Sequence, residues 1–200
     1  MTPRFAYDVS TLPDYGFDTR SITWWGVLGY ILIEGAGFAL GIAAYFFLRG
    51  QEMQWPPSAH APSLGWGTAT LVLFILSQIP NIWLGRAARA ENIAKVRLGL
   101  ILASLAGAII LVSRGFEFAH LNIAWDRNAY GSIVWALLFL HTVHLITDLY
   151  ETLVLAVLMH TEHGPKGRRF VDTSEEVLYW HFIVGSWVLL YVVIYWIPRL

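Results

Sequence analysis

Two hundred residues carry 13 Lys and Arg against 14 Asp and Glu, a formal net charge of -1 that implies neither nucleic acid nor an acidic surface as partner. Hydrophobic residues make up 56% and charged residues 14%, away from the soluble range and toward the membrane class. The lack of cysteine excludes disulfides, thiolate metal sites, covalent c-type haem and iron–sulfur clusters.

Residues 1–22 contain Pro3, Asp8, Pro13, Asp14, Asp18 and Arg20 and no apolar core of signal-peptide type. They read as an N-terminal segment on the cytoplasmic side, and the first hydrophobic stretch as a retained anchor. Five stretches are then long and apolar enough to cross a hydrocarbon core, at about 20 residues each. They are 23–48, opened by the interfacial Trp24 and Trp25; 64–84, after Pro56, Pro57 and Pro62; 96–112, the shortest; 132–159; and 177–197, closed by Tyr191, Tyr195 and Trp196. Short connections predict one all-α bundle over residues 23–200, not two domains. Arg4, Arg20, Arg86, Arg89, Lys95, Arg97, Lys166, Arg168 and Arg169 lie on one side, against Arg49, Arg114, Arg127 and Arg199 on the other. The positive-inside rule then predicts a cytoplasmic N-terminus and an external C-terminus.

The fourth stretch carries His141, His144, Asp148 and Glu151. Spacings of three, four and three residues put them within about 80° of one helix face. Charge at membrane depth costs about 2.5–3.5 kcal/mol per group, so this stripe predicts a protein neighbour or a wet cavity. The first stretch carries a lone acid, Glu34, on a face shared with Gly26, Tyr30, Gly37, Gly41 and Ala44. Gly37 and Gly41 form a G-x-x-x-G pair suited to close helix packing. At 1.5 Å per residue, Glu34 lies about 16 Å from the inner end of its helix and His144 about 18 Å from the outer end of its own, so the two predict a mid-membrane contact. The same arithmetic offers Asp148 and His181 as a second pair.

Other readings of these groups stay open on spacing alone. His144, Asp148 and Glu151 are compatible with a metal site, whereas His141 and His181 differ in depth and suit a bis-histidine haem poorly. His160 and His163 flank Glu162 in a loop. Glu175 and Glu176 read as first-turn acids of the fifth helix, with Thr173 or Ser174 as its cap. No P-loop, H-E-x-x-H or dinucleotide fingerprint occurs, and no inverted repeat supports a transporter.

The closing residues Tyr179, Trp180, His181, Phe182, Trp187, Tyr191, Ile194, Tyr195 and Trp196 resemble the last span of cytochrome c oxidase subunit III. Glu34 in ILIEGAGF resembles the buried glutamate of that family's E-S-x-F-F helix, and Arg114 to Phe118 its Q-x-x-E-Y loop, with Glu117 as the glutamate. Tyr130-Gly131-Ser132 resembles its Y-G-S, and Leu140 to His144 its F-H-G-x-H. The chain departs from the family at Val184, where Y-W-H-F-V-D has an aspartate, at Thr142, and at Asp148 and Glu151.

The resemblance, to the five-span kind of subunit III, implies a non-redox accessory subunit of a respiratory haem–copper oxidase in a bacterial cytoplasmic membrane. It implies contact with oxidase subunit I above all, then subunit II and small subunits, with structural phospholipids held between helices. Haem and copper are expected in those partners and no cofactor or metal in this chain, which has no catalytic centre of its own. Glu34, His141, His144, Asp148, Glu151 and His181 are the expected lipid-contact or proton-support residues, with Gly37 and Gly41 in helix packing. The alternatives are the equivalent subunit of a nitric oxide reductase and a small b-type membrane haem protein.

Overall fold

The computed structural model describes residues 15–57, 60–162, 164 and 166–200. Arg4 and His163 lie outside them. The described residues form α1 (Ile22–Gln51), α2 (Leu64–Arg89), α3 (Ile93–Ala119), α4 (Ala129–His160) and α5 (Gly167–Tyr191), with no strand among them. α5 continues through a π-helical turn, Val192–Trp196, into a short 3-10 turn, Ile197–Arg199. All five helices have the length and composition to span a membrane, and α5 does so as the continuous run Gly167–Arg199. Helices satisfy their backbone groups within the segment, which is what the bilayer interior demands.

The ends are capped by side chains where the chain enters α1, α3 and α4. Ser21 accepts from the Trp24 amide, Asn92 from Lys95 and Asn128 from Gly131. The Tyr130-Gly131-Ser132 segment starts α4: Tyr130 is buried against Tyr45 and Trp55, while Ser132 Oγ donates to the Trp125 and Asn128 carbonyls. Pro80 lies inside α2 and has no amide to donate.

In order of packing, α2 lies on α3 and α5, α3 on α4, and α4 on α5, closing a four-helix ring. α1 leans mainly on α4 and α5. The ring encloses an aromatic-rich core that includes Phe74, Tyr130, Leu138, Ile183, Trp187 and Ile194. A smaller core of Leu84, Val96, Leu100, Met159 and Phe170 sits toward the other end. α1 buries only Phe38 and Tyr45 of its thirty residues, and its apolar Leu32, Ile33, Leu40 and Phe47 are exposed.

Several expectations need correction. α5 begins at Gly167, ten residues before the expected 177, so Glu175 and Glu176 stand more than two turns inside it and are not first-turn acids. α3 is 27 residues and not the shortest span; it runs through Arg114-Gly115-Phe116-Glu117-Phe118, expected as a loop. Arg114 is therefore a fully buried helix residue and contributes nothing to the loop charge bias. His160 likewise is the last residue of α4, its Nδ1 2.7 Å from the Ala156 carbonyl oxygen.

Candidate functional site

Four groups of charged and polar side chains, each built by two or more helices, stand out. The most enclosed joins α3, α4 and the end of α5. Arg114 is fully buried; its Nη1 donates to Glu117 Oε2 at 2.8 Å, one helical turn on. Its Nη2 lies 3.3 Å from His141 Nδ1, and its guanidinium carbon 3.7 Å from the centroid of the Trp187 ring. His141 Nε2 is 3.0 Å from the Ile183 carbonyl oxygen. A carbonyl only accepts, so Nε2 carries the proton and Nδ1 accepts from Arg114. Tyr195 donates to the other Glu117 oxygen, Oε1. Its ring reaches that point across Gly67, where an added Cβ would sit 2.4 Å from Tyr195 Cζ.

The second group joins α1, α4 and α5. His144 Nε2 is 3.3 Å from Glu34 Oε1, the contact the depth arithmetic predicts, and both side chains are 12% exposed. Tyr179 donates to Glu34 Oε2 at 2.5 Å, while His144 Nδ1 is 2.6 Å from its own Leu140 carbonyl oxygen. Phe38 covers the cluster, its ring centroid 4.9 Å from that of His144. The third group is Asp148, Thr152 and Glu176, buried between α4 and α5. The fourth ties the start of α1 to α5: Ser21 and Thr23 donate to Glu175 Oε1 at 2.7 and 3.1 Å.

Between α1, α4 and α5 opens a cleft of about 670 Å³. Val27, Val154, Leu155 and Leu158 supply apolar wall; Tyr30, Glu151, Arg169, Asp172, Glu175, Glu176 and Tyr179 supply the polar groups. Arg169 is spent on Asp172 at 2.8 Å.

Of the expected site residues, Glu34 and His144 meet, and Glu151 faces the cleft. His141 and Asp148 face their own chain's helices and are fully enclosed. The expected Asp148–His181 pair is not made: His181 is exposed on α5 with Nδ1 2.5 Å from Gln78 Oε1. Among the described residues, no three His, Asp or Glu converge as a ligand set, and His144, Asp148 and Glu151 are divided among separate surroundings. The glycine pair also divides. A Cβ on Gly41 would press Leu137 Cδ2 at 2.6 Å, whereas one on Gly37 meets nothing within 4 Å.

Sequence reasoning did not anticipate the Arg114–Glu117–Tyr195 network. The available signal was an Arg and a Glu at i, i+3 at the end of an apolar stretch, which can neutralise each other inside a helix.

A family model described as cytochrome c oxidase subunit III matches residues 40–198. The chain belongs to the cytochrome c oxidase subunit III family. Among similar curated proteins, cytochrome c oxidase subunit 3 of Thermostichus vulcanus is 22% identical over 176 residues, 87% of each chain. That of Synechocystis sp. is 28% identical over 178 residues, 85% of this chain and 73% of the relative. That of Corynebacterium diphtheriae is 26% identical over 181 residues, 86% of each. Subunit III membership makes this chain an accessory subunit of an oxidase complex and a multi-pass membrane protein. The matched range takes in His144 and Tyr179 but starts after Glu34, which joins the site through its contacts with them. At the position of the family's last-helix aspartate, Val184 is packed into the apolar core.

Proposed function

We propose that this subunit III stabilises oxidase subunit I, its main contact beside subunit II and small subunits, and supports proton uptake through lipid held in the α1 cleft. It does so in a bacterial cytoplasmic membrane, with its N-terminus on the cytoplasmic side. Haem and copper reside in the partner subunits, and oxygen reduction to water is the chemistry of the complex.

The observation that supports this most is the way α1 is used. Thirty residues long and apolar, it leaves most of its surface uncovered, and the space it does bound is a greasy cleft with a polar rim. Such a face needs lipid or another polypeptide against it. The groups at depth point the same way. Glu34, His144 and Tyr179 satisfy one another at the wall between α1, α4 and α5, and His141 is committed to Arg114 and Ile183. A bis-histidine haem held by His141 and His181 would need both rings turned out of their present contacts.

Extraction in mild detergent tests the reading. The chain is expected to co-purify with a haem-bearing polypeptide and with phospholipid. Glu34→Gln is expected to keep the Tyr179 hydrogen bond, put an amide in place of the carboxyl facing His144, and slow proton uptake and turnover of the complex. A Soret band from the chain alone, or unchanged turnover and lipid content in Glu34→Gln, would overturn it.

A further inference from the structure

A second cavity, inside the four-helix ring, has room for about one water at about 10 Å³. Asp148 and Glu176 line it, 1% and 5% exposed, with Ser77 and Asn81 from α2 and Thr152 from α4. Neither Asp148 oxygen nor Glu176 Oε2 has a protein hydrogen-bond partner. No donor in the wall reaches these three oxygens. Asn81 Nδ2 donates to the Val177 carbonyl, Ser77 Oγ to Phe74, and Thr152 divides one proton between the Asp148 carbonyl and Glu176 Oε1. Neither carboxyl has an ion pair among the described residues.

Three orphaned acid oxygens around one water-sized space require donors from outside the protein. Two ionised carboxylates without a cation are not sustained in such surroundings. Glu176 also lines the α1 cleft, so it stands between the inner cavity and the cleft that holds Glu151.

We propose that Asp148 and Glu176 form a proton-binding site, closed by one bridging water, that exchanges its proton with the α1 cleft through Glu176. The water supplies two donors and the bound proton a third, one for each orphaned oxygen. The other titratable groups toward the pair are Glu151 on α4, and Tyr179 and Asp172 on α5, with Glu34 of α1 behind Tyr179. α2 and α3 bring only neutral residues to the cavity, Ser77 and Asn81 being the polar ones. The site stands apart from the oxidase reading, because it is read on carboxyl groups and not on turnover.

The test is pH-difference infrared spectroscopy of the protein, with whatever subunits accompany it, reconstituted in lipid. A protonated-carboxyl C=O band is expected to change with pH, shift down in D₂O, and disappear from the difference spectra of Asp148→Asn and of Glu176→Gln. Thr152→Val is expected to move the band without removing it, since it withdraws one donor. If Asp148→Asn fails to assemble, Glu176→Gln and the D₂O shift carry the test. Difference spectra identical in wild type and variants would overturn the proposal. So would a band that responds to exchanging choline for sodium at constant pH, which would assign the cavity to a metal cation.

Discussion

The guanidinium carbon of Arg114 lies over the Trp187 ring, 3.7 Å from its centroid, with both residues fully buried. Glu117 and His141 meet its two terminal nitrogens and Tyr195 donates to the far oxygen of Glu117, so a charge that belongs in water is held inside the helix ring. Removing one partner of a buried ion pair leaves the other uncompensated, at about 3–5 kcal/mol, and a desolvated cation–π contact adds about 2. Arg114→Leu is therefore expected to lower the thermal unfolding temperature in detergent sharply. The double variant Arg114→Leu/Glu117→Leu is expected to recover much of that loss, because no orphaned charge remains. A double variant as unstable as Arg114→Leu would show that the stack on Trp187, not the charge balance, holds this core.

Gly67 is where Tyr195 passes over α2. A methyl there would overlap Tyr195 Cζ at 2.4 Å and both flanking Cε atoms at 2.7 Å. The ring is wedged and the Glu117 bond waits at its tip, so it has little freedom to yield. Overpacking of this kind costs about 1–3 kcal/mol, and the broken bond to a buried carboxylate adds to it. Gly67→Ala is expected to destabilise the protein more than Tyr195→Phe, which removes only the bond. Equal losses in the two variants would mean that the ring moves aside freely.

Gly41 and Gly37 share a face of α1 but have different surroundings. Gly41→Ala presses the flexible end of Leu137 and is expected to cost up to about 1–3 kcal/mol of stability, read by thermal melting. Gly37→Ala meets open space in this chain and is expected to leave its stability within about 0.5 kcal/mol. If Gly37→Ala nevertheless weakens recovery of the haem-bearing partner, that glycine is a contact between subunits.

The spans were legible because about twenty apolar residues have few other uses. Their ends were not. Gly167 to Glu176, GRRFVDTSEE, carries five charges and reads as a connection ending in a first helical turn, yet its two glutamates find hydroxyls on α1 and α4 more than two turns inside the helix. RGFEF read as loop for the same reason, whereas its Arg and Glu neutralise each other one turn apart. Rise per residue was enough to bring Glu34 to His144, because both are near mid-span and depth alone decides whether two helices' groups can meet. It failed for Asp148 and His181, because depth carries no information about facing. Asp148 turns into the ring, while His181 turns outward to Gln78.

Ser21 has two roles at one oxygen. It accepts from the Trp24 amide as the cap of α1 and donates to Glu175, 154 residues away on α5. α1 leans mainly on two helices, so this tie at its start helps set its angle to the bundle and the width of the cleft. Losing a Ser cap costs about 0.5–2 kcal/mol, and losing a hydrogen bond to a buried carboxylate about 1.5–3. Ser21→Ala and Glu175→Leu, which removes the acceptor, are each expected to destabilise the protein. Combined, they should fall short of the sum by about 0.5–3 kcal/mol, because each has already broken the shared bond. Unfolding curves of the four proteins measure that coupling directly. Simple additivity would mean that Thr23, 3.1 Å from the same carboxylate oxygen, takes over when Ser21 is gone. The triple comparison with Thr23→Val then decides whether the start of α1 is held by one hydroxyl or by either of two.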